Sequence, residues 1–373
     1  MIAEIFNSSL ISGPETLVLP NLKHLKRRAC VIWLKEERCA PEANRRVQDY
    51  FERHAETHII PVHSRNDRDA ARELRVLLHS LGASIAHAHD VKASFLLARA
   101  GASENYRRIS THHGVHARSG ALVRLYEEIY CRFVLPHFDR SLVVCTSDRE
   151  SLVRRGVPAE RVRVHLNGID RNVISWSERA HARAELHRAW GLKAAPGEKI
   201  FGIVARLARE KDHEFALRLL AQVRDLPFRV LCFGTGPLAE KLARKTNQLG
   251  LSNKVLWMGY RKTLSQELHG FDGILSLSRA EGLPINLIEA GFANTPIFAR
   301  VVDGVADLLP SPIYGDPVLP DRPESEWVAN LKDFILRDET VQAKKALAMQ
   351  ERVISGFSGL MWAKRLDEIA DEL

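Results

Sequence analysis

A chain of 373 residues with 45% apolar, 27% charged and 7% aromatic side chains is long enough for about two domains of roughly 150 residues, each with its own core. That composition excludes an intrinsically disordered chain and a disulfide-stapled miniprotein. The net charge is +8, of which +6 falls within residues 1–170 along with 12 of the 16 histidines; an anionic partner, or simply a solvated basic face, is expected there, and the preference for Arg over Lys suits phosphate or carboxylate contacts.

In chain order, Met1 to Gly13 contain Glu4 and no Lys or Arg. They lack the charged start of a secretion signal, and no apolar run approaches the roughly 20 residues that span a bilayer, so a cytoplasmic protein is expected. From Thr16 to Arg28, Leu17, Leu22 and Leu25 are interleaved with Lys23, Lys26, Arg27 and Arg28. This suits either a helix lying on an anionic membrane face, interrupted by Pro20, or a core-packing helix with a basic end. Strand-like apolar runs at 29–33, 58–62, 85–88, 108–111 and 141–145 alternate with helical patterns. The alternation resumes at 200–204, 229–233, 254–258, 273–277 and 296–298, with helical stretches such as 214–224 and 237–249 between. Two doubly wound α/β units follow, with a polar aperiodic connection over 167–177 and a boundary near Asn172. Cys30, Cys39, Cys131, Cys145 and Cys232 show no CxxC or Cys/His spacing and are read as reduced packing residues without zinc.

Parallel sheets bind ligands at the carboxyl ends of their strands, so the strand-to-helix turns carry the chemistry. Gly234-Thr235-Gly236-Pro237-Leu238-Ala239 matches the dinucleotide fingerprint in letters, but Met258-Gly259-Tyr260-Arg261 offers no acid for a ribose, which favours a tight glycine turn over a nicotinamide site. Ser278-Arg279-Ala280-Glu281-Gly282-Leu283-Pro284 leads into a helix, with Pro284 in its first turn. Free amides there suit a phosphate, and Glu289, a little over one turn further in, suits sugar hydroxyls. Arg206 and Lys211, on the turn after 200–204, are placed to neutralise a leaving diphosphate, unless they are merely solvated loop cations.

Together these segments resemble the retaining glycosyltransferases of family 4, over nearly the whole chain. Glu281 and Glu289 are similar to that family's Glu-x7-Glu motif. Gly234 to Pro237 and Gly259-Tyr260-Arg261 are similar to its glycine turns, and Asn167-Gly168-Ile169-Asp170 to its linker entry. Ser12-Gly13-Pro14-Glu15 is similar to the family's acceptor-side Gly-Gly-x-Glu loop, with Ser12 in place of the first glycine. Thr111-His112-His113-Gly114 is similar to its strand-end His-Gly, and alternation along the strand favours His113 over His112 as the matching residue.

The resemblance implies the GT-B architecture, two Rossmann-like domains facing a central cleft. Residues 1–172 would take the acceptor and 173–355 the nucleotide-sugar donor, with 356–373 a C-terminal helix returning to the first domain. It implies that Arg206 and Lys211 bind the donor diphosphate, that Glu289 binds the ribose, and that Glu281 and His113 lie against the sugar. Gly282, Leu283, Pro284, Ile285 and Asn286 would complete the phosphate site, and Gly259, Tyr260 and Arg261 would read the base. Ser12, Gly13 and Glu15 would form the acceptor-side loop.

The implied reaction is transfer of a sugar from a nucleotide diphosphate sugar, a UDP-sugar by family frequency, to a hydroxyl of a glycan or lipid-linked glycan in bacterial surface polysaccharide synthesis. Retention of configuration would follow a front-face path without metal or other cofactor, and an anionic membrane surface is a candidate further partner. A nucleotide-sugar epimerase or hydrolase of the same architecture, or a non-enzymatic anionic-polymer-binding protein, would keep parts of this pattern. No lysine motif for pyridoxal phosphate and no aromatic-basic nucleic-acid signature is present.

Overall fold

In the computed structural model the described residues are all but 37–39, 65–66, 114–120, 171–178, 191–196 and 262–263. The chain divides into two units, Met1–Asp170 with Ser358–Leu373, and Arg171–Phe357. Cys39, the boundary at Asn172 and most of the connection up to Ser177 lie outside the described residues.

The first unit is a seven-stranded sheet. Its strands are β1 (Ile2–Phe6), β2 (Ala29–Glu36), β3 (Thr57–Val62), β4 (Ile85–Ala88), β5 (Arg107–His112), β6 (Arg140–Val143) and β7 (Val162–Val164). The order is β3-β2-β1-β4-β5-β6-β7 and every pairing is parallel. Parallel strands covered by helices on both faces must be apolar on both faces, and β1 shows the rule and its exception: Ile2, Ala3, Ile5 and Phe6 are buried, and so is Glu4. The strand order reverses between β1 and β4, where ligands bind in such sheets; there Glu4 pairs in register with His87.

The second unit is a six-stranded sheet of β8 (Lys199–Val204), β9 (Phe228–Phe233), β10 (Val255–Gly259), β11 (Gly273–Ser276), β12 (Ile297–Arg300) and β13 (Asp316–Val318). Its order is β10-β9-β8-β11-β12-β13, again all parallel, with the reversal between β8 and β11. Phe201, Phe228, Phe298, Trp327 and Phe334 fill the core on one face.

Three strands escape the sequence reading: β1, and the three-residue edge strands β7 and β13. Pro284 sits one residue before the helix Ile285–Phe292 rather than inside its first turn. The segment expected either on a membrane or in the core is a packing helix, Gly13–Asn21, followed by a 3-10 turn, Leu22–His24. Leu17 and Leu22 are buried. Lys23 pairs with Asp170, Arg27 with Asp367 and Asp371, and Arg28 with Glu56, all within the same unit. Among the described residues no helix is long and apolar enough to cross a membrane. Cys30, Cys131, Cys145 and Cys232 are buried free thiols.

Asn167-Gly168-Ile169-Asp170 is the seat of the C-terminal helix Gly359–Asp371. Gly359 N donates to the Ile169 carbonyl at 2.8 Å, and a Cβ on Gly168 would lie 2.4 Å from the Ser358 carbonyl oxygen. Trp362 packs over His165, whose Nε2 donates to the Trp362 carbonyl at 2.9 Å.

Candidate active site

In the second unit the loops after β8 and β11 leave the sheet on either side of its reversal. After β8 the chain forms a 3-10 turn, Arg209–Lys211, and Asp212 takes a left-handed conformation with φ 47°, a cost of about 1 kcal/mol for a residue other than glycine. The cost is met by its buried carboxylate, which accepts Arg279 Nε at 2.7 Å and Arg300 Nη1 at 2.9 Å. Arg300 lies over the ring of Phe215 at 4.4 Å and that of Trp327 at 5.5 Å. The turn that carries Lys211 is therefore anchored to the core.

Lys211 Nζ donates to Glu281 Oε1 at 2.6 Å, and Arg206 Nη2 to Glu210 Oε1 at 2.6 Å. Glu281 is held in turn by its own amide, which donates to Asp303 Oδ2 at 3.1 Å. The cations expected to meet a diphosphate thus already sit against carboxylates. A cavity of about 460 Å³ opens beside Arg206, lined also by Thr235, Tyr260, Arg261, Asn286 and Glu289. Lys211, Gly259, Glu281 and residues 282–285 lie outside its wall.

Asn286 Nδ2 donates to the Val204 carbonyl at 2.8 Å, which ties the helix start to the end of β8. The first amides of that helix have no carbonyl one turn back to bond. Half-buried Glu289 has no ion-pair partner among the described residues, and burial pushes its carboxyl up to about 7. Tyr260 is exposed, and Arg261 pairs with Glu267.

Gly234 has φ 141°, and a Cβ there would lie 2.0 Å from the Ala205 carbonyl oxygen. Its amide is taken by the Gly259 carbonyl at 2.8 Å. The fingerprint-like turn is a contact between loops, as the missing ribose acid suggests.

In the first unit Glu15 is buried and is already satisfied. It accepts the Ser12 amide at 2.8 Å and the Ser12 hydroxyl at 2.7 Å, and it also bonds the Ser8 hydroxyl. Ser12 and Glu15 form a capping box at the start of the helix Gly13–Asn21, with Gly13 and Pro14 in its first turn. The expected acceptor-side loop is thus a helix N-terminus whose carboxylate is spent on its own cap. It borders a cavity of about 510 Å³ that His89, Lys92, His112, His113 and Tyr130 also line.

His112 ends β5 with its ring edge-on to Tyr130 at 4.8 Å, whereas His113 Nε2 lies 3.3 Å from His89 Nδ1. His89 Nε2 contacts Glu4 Oε2, and His87 Nδ1 lies 2.9 Å from the same oxygen. Burial alone would push Glu4 up, but His87 and His89 outweigh it and hold the carboxyl well below the usual range. Gly114, the partner of His113 in the strand-end motif, lies outside the described residues.

Comparison with known proteins decides the family. The profile described as Glycosyltransferase Family 4 matches residues 11–173, and that described as Glycosyl transferases group 1 matches residues 188–346. The chain belongs to the family 4 glycosyltransferases.

EpsF of Bacillus subtilis, named among the glycosyltransferases, is 29% identical over 220 residues, a match covering 57% of this chain and 56% of that protein. A 2-deoxystreptamine glucosyltransferase of Streptomyces kanamyceticus is 29% identical over 136 residues, 35% of each chain. The chain therefore aligns with about half the length, or less, of these relatives. The crystal structure of Anabaena HepE in complex with UDP superposes with a TM-score of 0.83 at 18% identity, covering 100% of both chains, which establishes the GT-B fold.

Arg206, Lys211, Glu281 and Glu289 are residues that the sequence singles out in this family member's second unit. It does not single out Asp212 and Arg300, which hold the Lys211 turn, or Glu4, His87 and His89. Two signals could have found the latter group. His87, on buried β4, and His89, one residue past its end, are two apart in a strand-like run, and Glu4 is a lone acid inside an apolar run.

Proposed function

We propose that this glycosyltransferase moves a sugar from a nucleotide diphosphate sugar to a hydroxyl of a glycan or lipid-linked glycan, with retention of configuration and without a metal ion. The observation that carries the reading is the Lys211–Glu281 pair on anchored loops beside the cavity wall that holds Arg206 and Glu289. A donor diphosphate replaces the carboxylates as partner of Lys211 and Arg206. Glu289 accepts the ribose hydroxyls, and exposed Tyr260 with Arg261 borders the base. Glu281, released from Lys211, and His113 meet the sugar.

In the front-face path the bond from the anomeric carbon to the phosphate oxygen breaks and the bond to the acceptor oxygen forms on the same face. The acceptor's proton passes to the departing phosphate oxygen. Arg206 and Lys211 stabilise the charge that develops there, where fixed charges are worth most. A UDP-sugar donor is supported by the crystal structures of Anabaena HepE in complex with UDP and with UDP-glucose, and a glycan acceptor by relatives such as the poly(ribitol-phosphate) alpha-N-acetylglucosaminyltransferase of Staphylococcus aureus. The work is placed in the cytoplasm, where nucleotide sugars are made.

The test is a panel of UDP- and GDP-sugars, first by thermal shift and then by transfer to oligosaccharide acceptors with EDTA present. A UDP-sugar is expected to raise the melting temperature by mass action and to yield a product whose anomeric configuration, read by NMR, matches the donor. An inverted product, loss of transfer in EDTA, or stabilisation by GDP alone overturns the corresponding part. Sugar release from the donor with no acceptor product would favour a hydrolase.

A further inference from the structure

The proposed reaction makes no use of the inner members of the polar line Glu4, His87, His89 and His113. An ionised carboxylate can only accept hydrogen bonds, and a neutral imidazole carries one N–H. Glu4 is fully enclosed, and Oε2 faces His87 Nδ1 at 2.9 Å as well as His89 Nε2. A buried carboxylate left without donors is costly, and His89 Nε2 is the ring nitrogen hydrogen-bonded to it, so that nitrogen carries its proton toward Glu4. His89 Nδ1 is then bare, and what faces it is His113 Nε2 at 3.3 Å; only an N–H there completes the line.

We propose that Glu4 and His89 are positioning residues that lock His113 in its Nε2–H tautomer, so that His113 Nδ1 meets the bound sugar as a bare acceptor for a hydroxyl proton. The tautomer is argued from Glu4 outward, and its use on a sugar rests on the function proposed above. Phe6 stacks on His89 at 4.4 Å with the rings 10° from parallel, which keeps the middle ring from turning. On the inner side, the gap that His87, His89 and His113 share with Val144, His165 and Trp362 has no space for a water. Burial first, and then the neighbouring His89 and His87, keep His113 well below the ordinary histidine range and therefore neutral.

Glu4, His87 and His89 also stand close enough together to ligate a cation. Ligation would require His89 Nε2 to be deprotonated, so the two arrangements exclude each other.

The experiment is long-range proton–nitrogen NMR of the full chain labelled at histidine nitrogens, with the His113 signals assigned by their loss in His113→Ala. The expected result is an Nε2–H tautomer at His113 in the wild type, a mixture of tautomers in Glu4→Gln and in His89→Phe, and no change on adding Zn²⁺. An Nδ1–H tautomer in the wild type overturns the proposal whether or not Glu4→Gln and His89→Phe fold. So does an unaltered His113 in both variants, or a stoichiometric Zn²⁺-dependent shift of the histidine signals.

In transfer assays Glu4→Gln is expected to lower kcat about tenfold at unchanged donor KM, and less than twofold in the His113→Ala background, because the two changes act through one group. Equal losses in both backgrounds overturn the positioning role. Full activity of His113→Ala would instead remove the sugar contact proposed for that residue, and the tautomer measurement would still decide the rest.

Discussion

Glu4 and Glu289 each lie at the strand-order reversal of their own sheet, and their surroundings drive them in opposite directions. Glu289 has no counterion among the described residues, and burial pushes it up to about 7. Burial also opposes the Glu4 charge, but two imidazoles prevail and hold it low. The second unit keeps its loop charges in ion pairs that a ligand can exchange. The first unit encloses a line of side chains that hydrogen-bond one another, Glu4, His89 and His113. A site for a charged, departing ligand needs partners that change, whereas a site that orients a neutral group needs partners that do not.

The largest expected effect breaks the exchangeable side. Lys211→Ala removes a charge-assisted contact of roughly 1.5–3 kcal/mol, so steady-state turnover should fall at least about tenfold, with Arg206→Ala close behind. Wild-type turnover from a folded Lys211→Ala protein would remove this lysine from the donor site.

Next comes stability, where the two carboxylates should diverge. The low folded-state pKa of Glu4 contributes stability above its unfolded value that is lost as pH falls. Glu4→Gln should therefore destabilise the fold at pH 7 by about 2–3 kcal/mol, measured by urea unfolding. The raised pKa of Glu289 works the other way. The unfolded state ionises near 4.5 and the folded state near 7, so the native protein is penalised progressively across that window and fully above it. Glu289→Gln should melt higher than wild type at pH 8 and about equally at pH 4. A lower melting temperature at pH 8 would mean that Glu289 has a partner in solution.

Binding sharpens the same contrast. If ribose hydroxyls donate to ionised Glu289, UDP affinity measured by calorimetry should weaken by up to about tenfold per pH unit below 7, and Glu289→Gln should abolish that slope. The smallest effect concerns the basic segment. Lys23→Ala should cost no more than about 1 kcal/mol, the usual worth of a half-exposed ion pair. Co-sedimentation with anionic vesicles at low salt should be as weak for this variant as for the wild type, since Lys23, Arg27 and Arg28 already face carboxylates.

The strands and loops of the second unit were largely legible, because β8 to β12 are apolar runs punctuated by glycine and charged turns. In the first unit β1 was not: five residues with Glu4 in the middle do not read as a buried strand when a carboxylate's histidine partners lie more than 80 positions away. The three residues of β7 and of β13 carry too short a pattern to register. Arg206, Lys211, Glu281 and Glu289 stood out because loop chemistry is local. Asp212 and Arg300 did not, since nothing in their neighbours shows that a left-handed aspartate will be clamped by an arginine on a strand 88 residues later. The cap formed by Ser12 and Glu15 was not legible from its letters, because the same residues serve a helix cap or a ligand loop.

The seating of helix Gly359–Asp371 on Asn167 to Asp170 bears on biosynthesis. One unit is a continuous stretch of chain, whereas the other begins at Met1 and needs residues beyond 357 to cover Gly168 and His165. On the ribosome, then, the later-encoded sheet can complete its core while the earlier one waits, inverting the usual vectorial order in which N-terminal domains mature first. A nascent chain stalled before Trp362 would hold a finished second unit and an uncovered first one, a form that quality control could recognise by its bare apolar seat.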